Sequence, residues 1–165
     1  MEIPINLKHK PVFLCPDYDE VDGREAGNSE TKGLSLGLAQ WNDRGNLDIS
    51  AKVWRKSGER WSRQSEELPI HRVFDLALLI TEAKAFLADS YRFPKLYDEK
   101  NPLVARIGLQ GSAMTVEVCD QSPMLDTDIR LFANALSRDD ELISERMSRL
   151  ADLLNDAGYG RNAGK

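Results

Sequence analysis

The sequence predicts an α+β fold: an antiparallel β-meander of about four strands packed on one long helix, followed by a short strand and a C-terminal helical pair. Three observations carry this expectation. Apolar residues fall at every second position from Leu34 to Leu38 and again from Leu47 to Val53, they recur at three- and four-residue spacing from Ile70 to Leu87, and helical spacing returns after Asp126. The 165 residues suffice for a single domain over 1–165, long enough to bury ~70% of the surface that its unfolded chain exposes. Sheet and long helix occupy 12–91, a strand and helical extension 107–158, and a frayed tail 160–165.

The first strand is the apolar run Val12-Phe13-Leu14-Cys15, ended by Pro16. Residues 16–32 are rich in Asp, Glu, Gly and Asn without an apolar period, which marks a long exposed loop. In the second strand Leu34, Leu36 and Leu38 alternate with Ser35, Gly37 and Ala39. Turn residues follow from Asn42 to Asn46, and Leu47, Ile49, Ala51 and Val53 then alternate with Asp48, Ser50, Lys52 and Trp54. Lys56-Ser57-Gly58-Glu59 is a second tight turn, and Arg60 to Ser65 forms a third, weakly apolar strand of the meander. Helix begins near Pro69, a residue favoured at the first helical position. Its stripe of Ile70, Val73, Phe74, Ala77 and Ile80, widened by Leu76 and Leu79, predicts that it lies against the sheet as the centre of the core. Residues 92–106 read as a connection and Ala113 to Cys119 as a strand. Asp126 to Leu136 and Ser137 to a Gly158 stop read as the two closing helices.

A composition of 41% hydrophobic and 30% charged residues is ordinary for a globular protein and excludes a disordered chain. The strongest apolar stretch, Leu76 to Ile80, is far short of the roughly 20 residues that cross a bilayer. The N-terminus lacks the basic and apolar regions of a signal peptide, so a cytoplasmic protein with no membrane partner is expected. Cys15 and Cys119 are then expected to be reduced, buried thiols. The net charge is −5, yet Lys52 to Arg63 holds five cations and one acid. That segment carries +4, which leaves −9 on the remainder: an acidic body with one basic patch, able to steer a polyanion.

All three tryptophans lie in or beside that patch. Trp41, Trp54 and Trp61 interleave with Lys52, Arg55, Lys56, Arg60 and Arg63, a pattern suited to stacking bases while cations hold phosphates. Trp41, beside the turn, is the weakest member. Alternation puts Trp54 on the polar side with Asp48, Ser50 and Lys52, which predicts an exposed ring. The expected binding residues are therefore Lys52, Trp54, Arg55, Lys56, Arg60, Trp61 and Arg63. His9 and His71 have no second ligand at metal spacing and read as structural or solvated. Asp17, Asp19, Asp22 and Gly23 suggest a calcium loop, but Val21 occupies a ligand position and Asn28 replaces the closing glutamate, which excludes an EF-hand. Pro16-Asp17 with Glu30-Thr31-Lys32 has the skeleton of a metal-dependent nuclease site. No catalytic residue, cofactor or resident metal follows from the rest of the sequence.

The order strand, hairpin, third strand and long helix over 12–91 resembles the positive-cofactor-four type of single-stranded DNA-binding domain, including its YdbC-like branch. Asp48-Ile49-Ser50, Val53-Trp54-Arg55 and Gly58-Glu59 are similar to that family's central strand and turn, preceded by Trp41-Asn42-Asp43. The resemblance implies a curved four-stranded sheet crossed by a helix, dimeric, gripping a single strand on aromatic and basic side chains. The sequence departs from the pattern where the family carries a Lys-Gly pair before the helix: here stands Glu66-Glu67-Leu68-Pro69. The whole chain also resembles a bacterial family of uncharacterised proteins. The first expectation is thus a non-enzymatic module for single-stranded nucleic acid. The second is a protein interaction module or homodimer using the same face, and the third is a metal-dependent nuclease.

Overall fold

A computed structural model describes residues 3–4, 7–43, 48–62 and 66–160. It is α+β, with an antiparallel sheet, a long helix, a second small sheet and two C-terminal helices. The chain divides into two compact units, Met1–Leu78 and Leu79–Lys165. No helix among the described residues is long and apolar enough to cross a membrane.

The first unit is built on three antiparallel strands in chain order, β1 (Lys10–Cys15), β2 (Thr31–Leu38) and β3 (Ile49–Ser57). The free edge of β3 takes two short strands. β4 (Arg60–Trp61) pairs with Lys56 and Ser57, and β5 (Glu67–Pro69) pairs with Ser50 to Lys52. The third strand expected over Arg60 to Ser65 is therefore β4 alone, with 63–65 outside the described residues, and β5 is an addition. A three-residue strand is too short to display a period. Pro69 closes β5, where a missing N–H costs least, so α1 starts one residue later. The turn expected from Asn42 to Asn46 lies partly outside the described residues. The loop before β2 holds two 3-10 turns, Tyr18–Glu20 and Gly23–Glu25, and is tied to β2 by a 2.9 Å Lys32–Asp19 ion pair.

α1 (Ile70–Asp89) forms where the periodicity places it, but none of its residues is buried, which corrects the expectation of a core-centring helix. Periodicity reports which side of a helix is apolar, and says nothing of what covers that side.

In the second unit, β6 (Leu103–Leu109) and β7 (Ser112–Glu117) form a hairpin. The sequence placed a connection where β6 begins. Its two-residue turn, Gln110-Gly111, has left-handed φ of 52° and 77°, the geometry whose twist matches the flanking strands, so Gly111 closes a hairpin. α2 (Leu125–Arg138) and α3 (Asp140–Asp156) follow, and α3 ends at Gly158 through Tyr159 N–H to Leu154 O and Gly158 N–H to Asn155 O. Val116, Ile129 and Tyr97 are buried. The Tyr97 hydroxyl donates to Asp126 at 2.7 Å, Lys95 pairs with Asp126 and Glu99, and Lys84 pairs with Asp140.

Candidate functional site

Strand register separates two faces of the sheet in the first unit. Leu34 and Leu36 stand opposite Val53 and Ala51, and Phe13, Cys15 and Leu68 extend that apolar face across β1 and β5. Gly33, Ser35 and Gly37 stand opposite Trp54, Lys52 and Ser50, and Glu67 of β5 lies beside Lys52. Elementary patterning turns the first face inward and the second to water. The structure does the reverse: Ser35, Ser50, Lys52 and Trp54 are buried, whereas Leu34, Leu36, Ala51 and Val53 stay partly exposed and Phe13 is 67% exposed.

What closes the polar face is the segment leading into β1. His9 lies wholly buried over it, and Ile3 is buried beside it. Glycines make the close approach possible: a methyl on Gly33 would come within 2.6 Å of Ile3 Cδ1, and one on Gly37 would collide with the Lys10 carbonyl.

A polar interior is tolerable only if its donors and acceptors are matched, and here they form one directed chain. Trp54 Nε1–H donates to Ser35 Oγ at 2.7 Å, and the Ser35 hydroxyl donates to His9 Nε2 at 2.9 Å. His9 Nδ1–H donates to Ser50 Oγ at 3.1 Å, whose hydroxyl donates to Glu67 Oε1 at 2.7 Å. This assignment requires a neutral imidazole protonated at Nδ1. Glu67 Oε1 also accepts the Gln40 N–H at 2.8 Å and lies 3.3 Å from His9 Nδ1, while Oε2 accepts from Lys52 Nζ at 3.4 Å. The Lys52 ammonium lies 4.6 Å from the Trp54 ring centre. Among the described residues no buried polar side-chain atom lacks a partner.

The protonation states follow from the same surroundings. Burial lowers the His9 pKa and outweighs the opposing pull of Glu67, and Lys52 lowers it further, so the ring is neutral. Burial pushes Glu67 up, but the Gln40 N–H, the Ser50 hydroxyl, His9 and Lys52 together prevail and hold the carboxyl below its ordinary value. Serine, histidine and a carboxylate are the ingredients of acyl-transfer catalysis. Both His9 and Ser50 are fully enclosed, however, so no substrate reaches the hydroxyl in this state.

The seven residues singled out by sequence divide accordingly. Trp54, at 2% exposure, and Lys52, at 7%, belong to the buried network, which corrects the expected exposed ring. The polar company of Trp54 turned out to be its hydrogen-bonding partners. Arg55 is bidentate to Glu66, with Nη2 to Oε1 at 2.6 Å and Nε to Oε2 at 3.2 Å. Lys56 and Trp61 are half-buried and Arg60 is exposed on the β3–β4 turn, with the Trp61 ring set edge-on to Trp54 at 6.0 Å. Arg63 lies outside the described residues. Trp41 is 40% exposed and donates from Nε1 to Asp48 at 2.7 Å.

Sequence reasoning missed His9, Ser35 and Glu67 as members of one network, since they are distant in sequence. The available signal was the run of small and polar residues on one face of two adjacent strands. In the acidic loop, Lys32 is occupied by Asp19 and Asp17 accepts from Cys15 Sγ at 3.5 Å. Among the described residues no three His, Cys, Asp or Glu side chains converge as a metal site. The thiols also differ from expectation: Cys15 is half-buried and Cys119 exposed.

Fold and site define a class: an α+β protein whose sheet is closed on one side by a satisfied polar network and left apolar and partly open on the other. The chain belongs to a family of unknown function, DUF6530, whose model matches residues 1–159. No curated protein and no solved structure matches it.

Proposed function

We propose that the protein is a non-enzymatic binding module that pairs with a second copy of itself through the apolar side of the sheet. The inverted sheet carries this reading: polar residues take the interior while Leu34, Leu36, Val53 and Phe13 remain partly open to water. On the first half of α1, Val73, Phe74 and Leu76 are likewise exposed, at 38%, 52% and 47%. Covering both surfaces removes several hundred Å² of apolar area per chain, on the scale of the ~800 Å² per partner in a standard interface. Two such surfaces on one chain suit a twofold pair, in which each copy covers what the other leaves open. Large exposed apolar surface is characteristic of interaction sites. Sedimentation of the full chain at micromolar concentration tests the reading. A dimer that Leu36→Asp converts to monomer, with the far-UV spectrum unchanged, supports it, and a wild-type monomer overturns it.

A second reading keeps the nucleic-acid ligand on a smaller site. Lys56 and Arg60 flank half-exposed Trp61 on the β3–β4 turn, and neither cation has an ion-pair partner among the described residues. Two cations and one ring give a shallow salt dependence, so binding is confined to low ionic strength. Quenching of tryptophan fluorescence by a short oligonucleotide, abolished in Lys56→Ala/Arg60→Ala, is the expected outcome; a flat titration at low salt sinks this reading.

A further inference from the structure

We propose that the second unit carries a binding site for a small apolar molecule bearing one positive charge. A pocket of about 410 Å³ opens between the second half of α1, the β6–β7 hairpin and α2. That volume falls within the range of small-molecule sites. Its walls follow from helical spacing. Leu79, Ala83, Phe86 and Leu87 recur along one stripe of α1, and Leu125, Asp128, Ile129 and Phe132 along one stripe of α2. Val104 and Val116 of the hairpin complete the lining.

The charge pattern selects the ligand. No lysine or arginine lines the pocket, and its only ionisable acids are Asp128 and Glu117, both exposed. Asp128 occupies a position of the α2 stripe that the apolar spacing would give to a hydrophobe. Other acids of this unit, Asp126, Glu99 and Asp140, are held by Lys95 or Lys84, whereas Asp128 and Glu117 have no ion-pair partner among the described residues. An apolar body satisfies the walls, and a cation satisfies the two carboxylates of the lining. Phe132, an exposed aromatic of the same lining, adds a ring of the kind that attracts cations. A carboxylate-bearing lipid of equal length meets the same walls and the opposite electrostatics.

Cys119 lines the pocket and is exposed, so its alkylation reports occupancy. The experiment uses the full chain carrying Cys15→Ser and follows the rate of Cys119 modification by N-ethylmaleimide, an uncharged reagent. Octylammonium is expected to slow the reaction saturably, at least threefold, while octanoate and octan-1-ol at the same concentration leave it nearly unchanged. Asp128→Asn/Glu117→Gln, a change of two exposed side chains, is expected to remove the protection while the far-UV spectrum and the melting temperature stay as they were. Equal protection by octanoate or octan-1-ol overturns the proposal, as does no protection by any of the three or protection that persists in the double variant. A modification rate that falls with protein concentration alone overturns it too, because the pocket is then filled by a second copy.

Discussion

The two faces of the first unit's sheet differ in a way that residue polarity predicts backwards. The face of Ser35, Ser50, Lys52, Trp54 and Glu67 is closed, and the face of Leu34, Leu36, Val53 and Phe13 is partly open. Hydrophobicity orders faces by the cost of exposing them, but a polar face can take the interior when each donor finds an acceptor and the charges are paired. Such an interior is unforgiving, since removing one member strands the rest. The apolar face follows the opposite rule. Substitutions there cost the single chain little and act on whatever covers it.

Glu67→Ala gives the largest expected effect. It leaves the buried Lys52 ammonium without its carboxylate and removes the acceptor of Ser50 and of the Gln40 N–H. Breaking a buried pair from one side costs about 3–5 kcal/mol. Urea unfolding followed by tryptophan emission measures this, and a loss below about 1 kcal/mol would show that the network behaves as a surface feature. Leu36→Asp serves as the control on the open face: it is expected to break self-association and leave the single chain folded.

How much of this was legible follows from which signals are local. Alternation in 33–39 and 47–54 located β2 and β3, and it assigned the residues of 33–38 and 50–54 correctly to two faces. It did not say which face turns inward, because that depends on His9, contributed by a segment 41 residues before Ser50, and on Glu67, which reads as part of an acidic pair. Helical spacing found α1, α2 and α3 because each runs for several turns. β5 escaped because three residues show no period, and the start of β6 because Pro94 and Pro102 mark the stretch around it as a connection. Lys56, Arg60 and Trp61 lie together at the β3–β4 pairing, since a tight turn brings neighbours in sequence together.

Acid sharpens the comparison because the closed face holds two groups, His9 and Glu67, whose titration couples to folding. His9 is held below its ordinary value of 6.5, so the unfolded chain takes up a proton there before the folded chain does. Stability therefore falls as pH drops below about 6.5. Glu67 is held below its ordinary 4.5, so its contribution is complete above that value and is lost as pH falls through its folded pKa. Both slopes have the same sign, giving a two-step loss of stability toward acid. Urea midpoints at stepwise pH values measure it. His9→Gln is expected to flatten the step near pH 6.5 and leave the lower one, and an unchanged profile in that variant would assign the upper step to another group.

The smallest expected effect isolates the faces most cleanly, because it compares two cations of one strand. Lys52 and Arg55 both lie on β3, and each pairs with a glutamate of the same dipeptide, Glu67 and Glu66. Arg55–Glu66 has the shorter and bidentate geometry, 2.6 Å against 3.4 Å, and distance alone ranks it the stronger. Burial reverses the ranking. The Arg55 and Glu66 side chains are 42% and 53% exposed, so water already solvates both charges, and losing the pair by Arg55→Ala is expected to change stability by no more than about 0.5 kcal/mol. The Lys52 and Glu67 side chains are 7% and 1% exposed, so Lys52→Met strands a buried carboxylate and is expected to cost several times as much. Arg55→Ala leaves the Lys56 and Arg60 site of the β3–β4 turn in place, so an oligonucleotide titration of the same variant separates a binding role from a folding one. If Arg55→Ala destabilises as much as Lys52→Met, the exposed side of β3 is covered by protein in solution, which points back to a second copy on the apolar face.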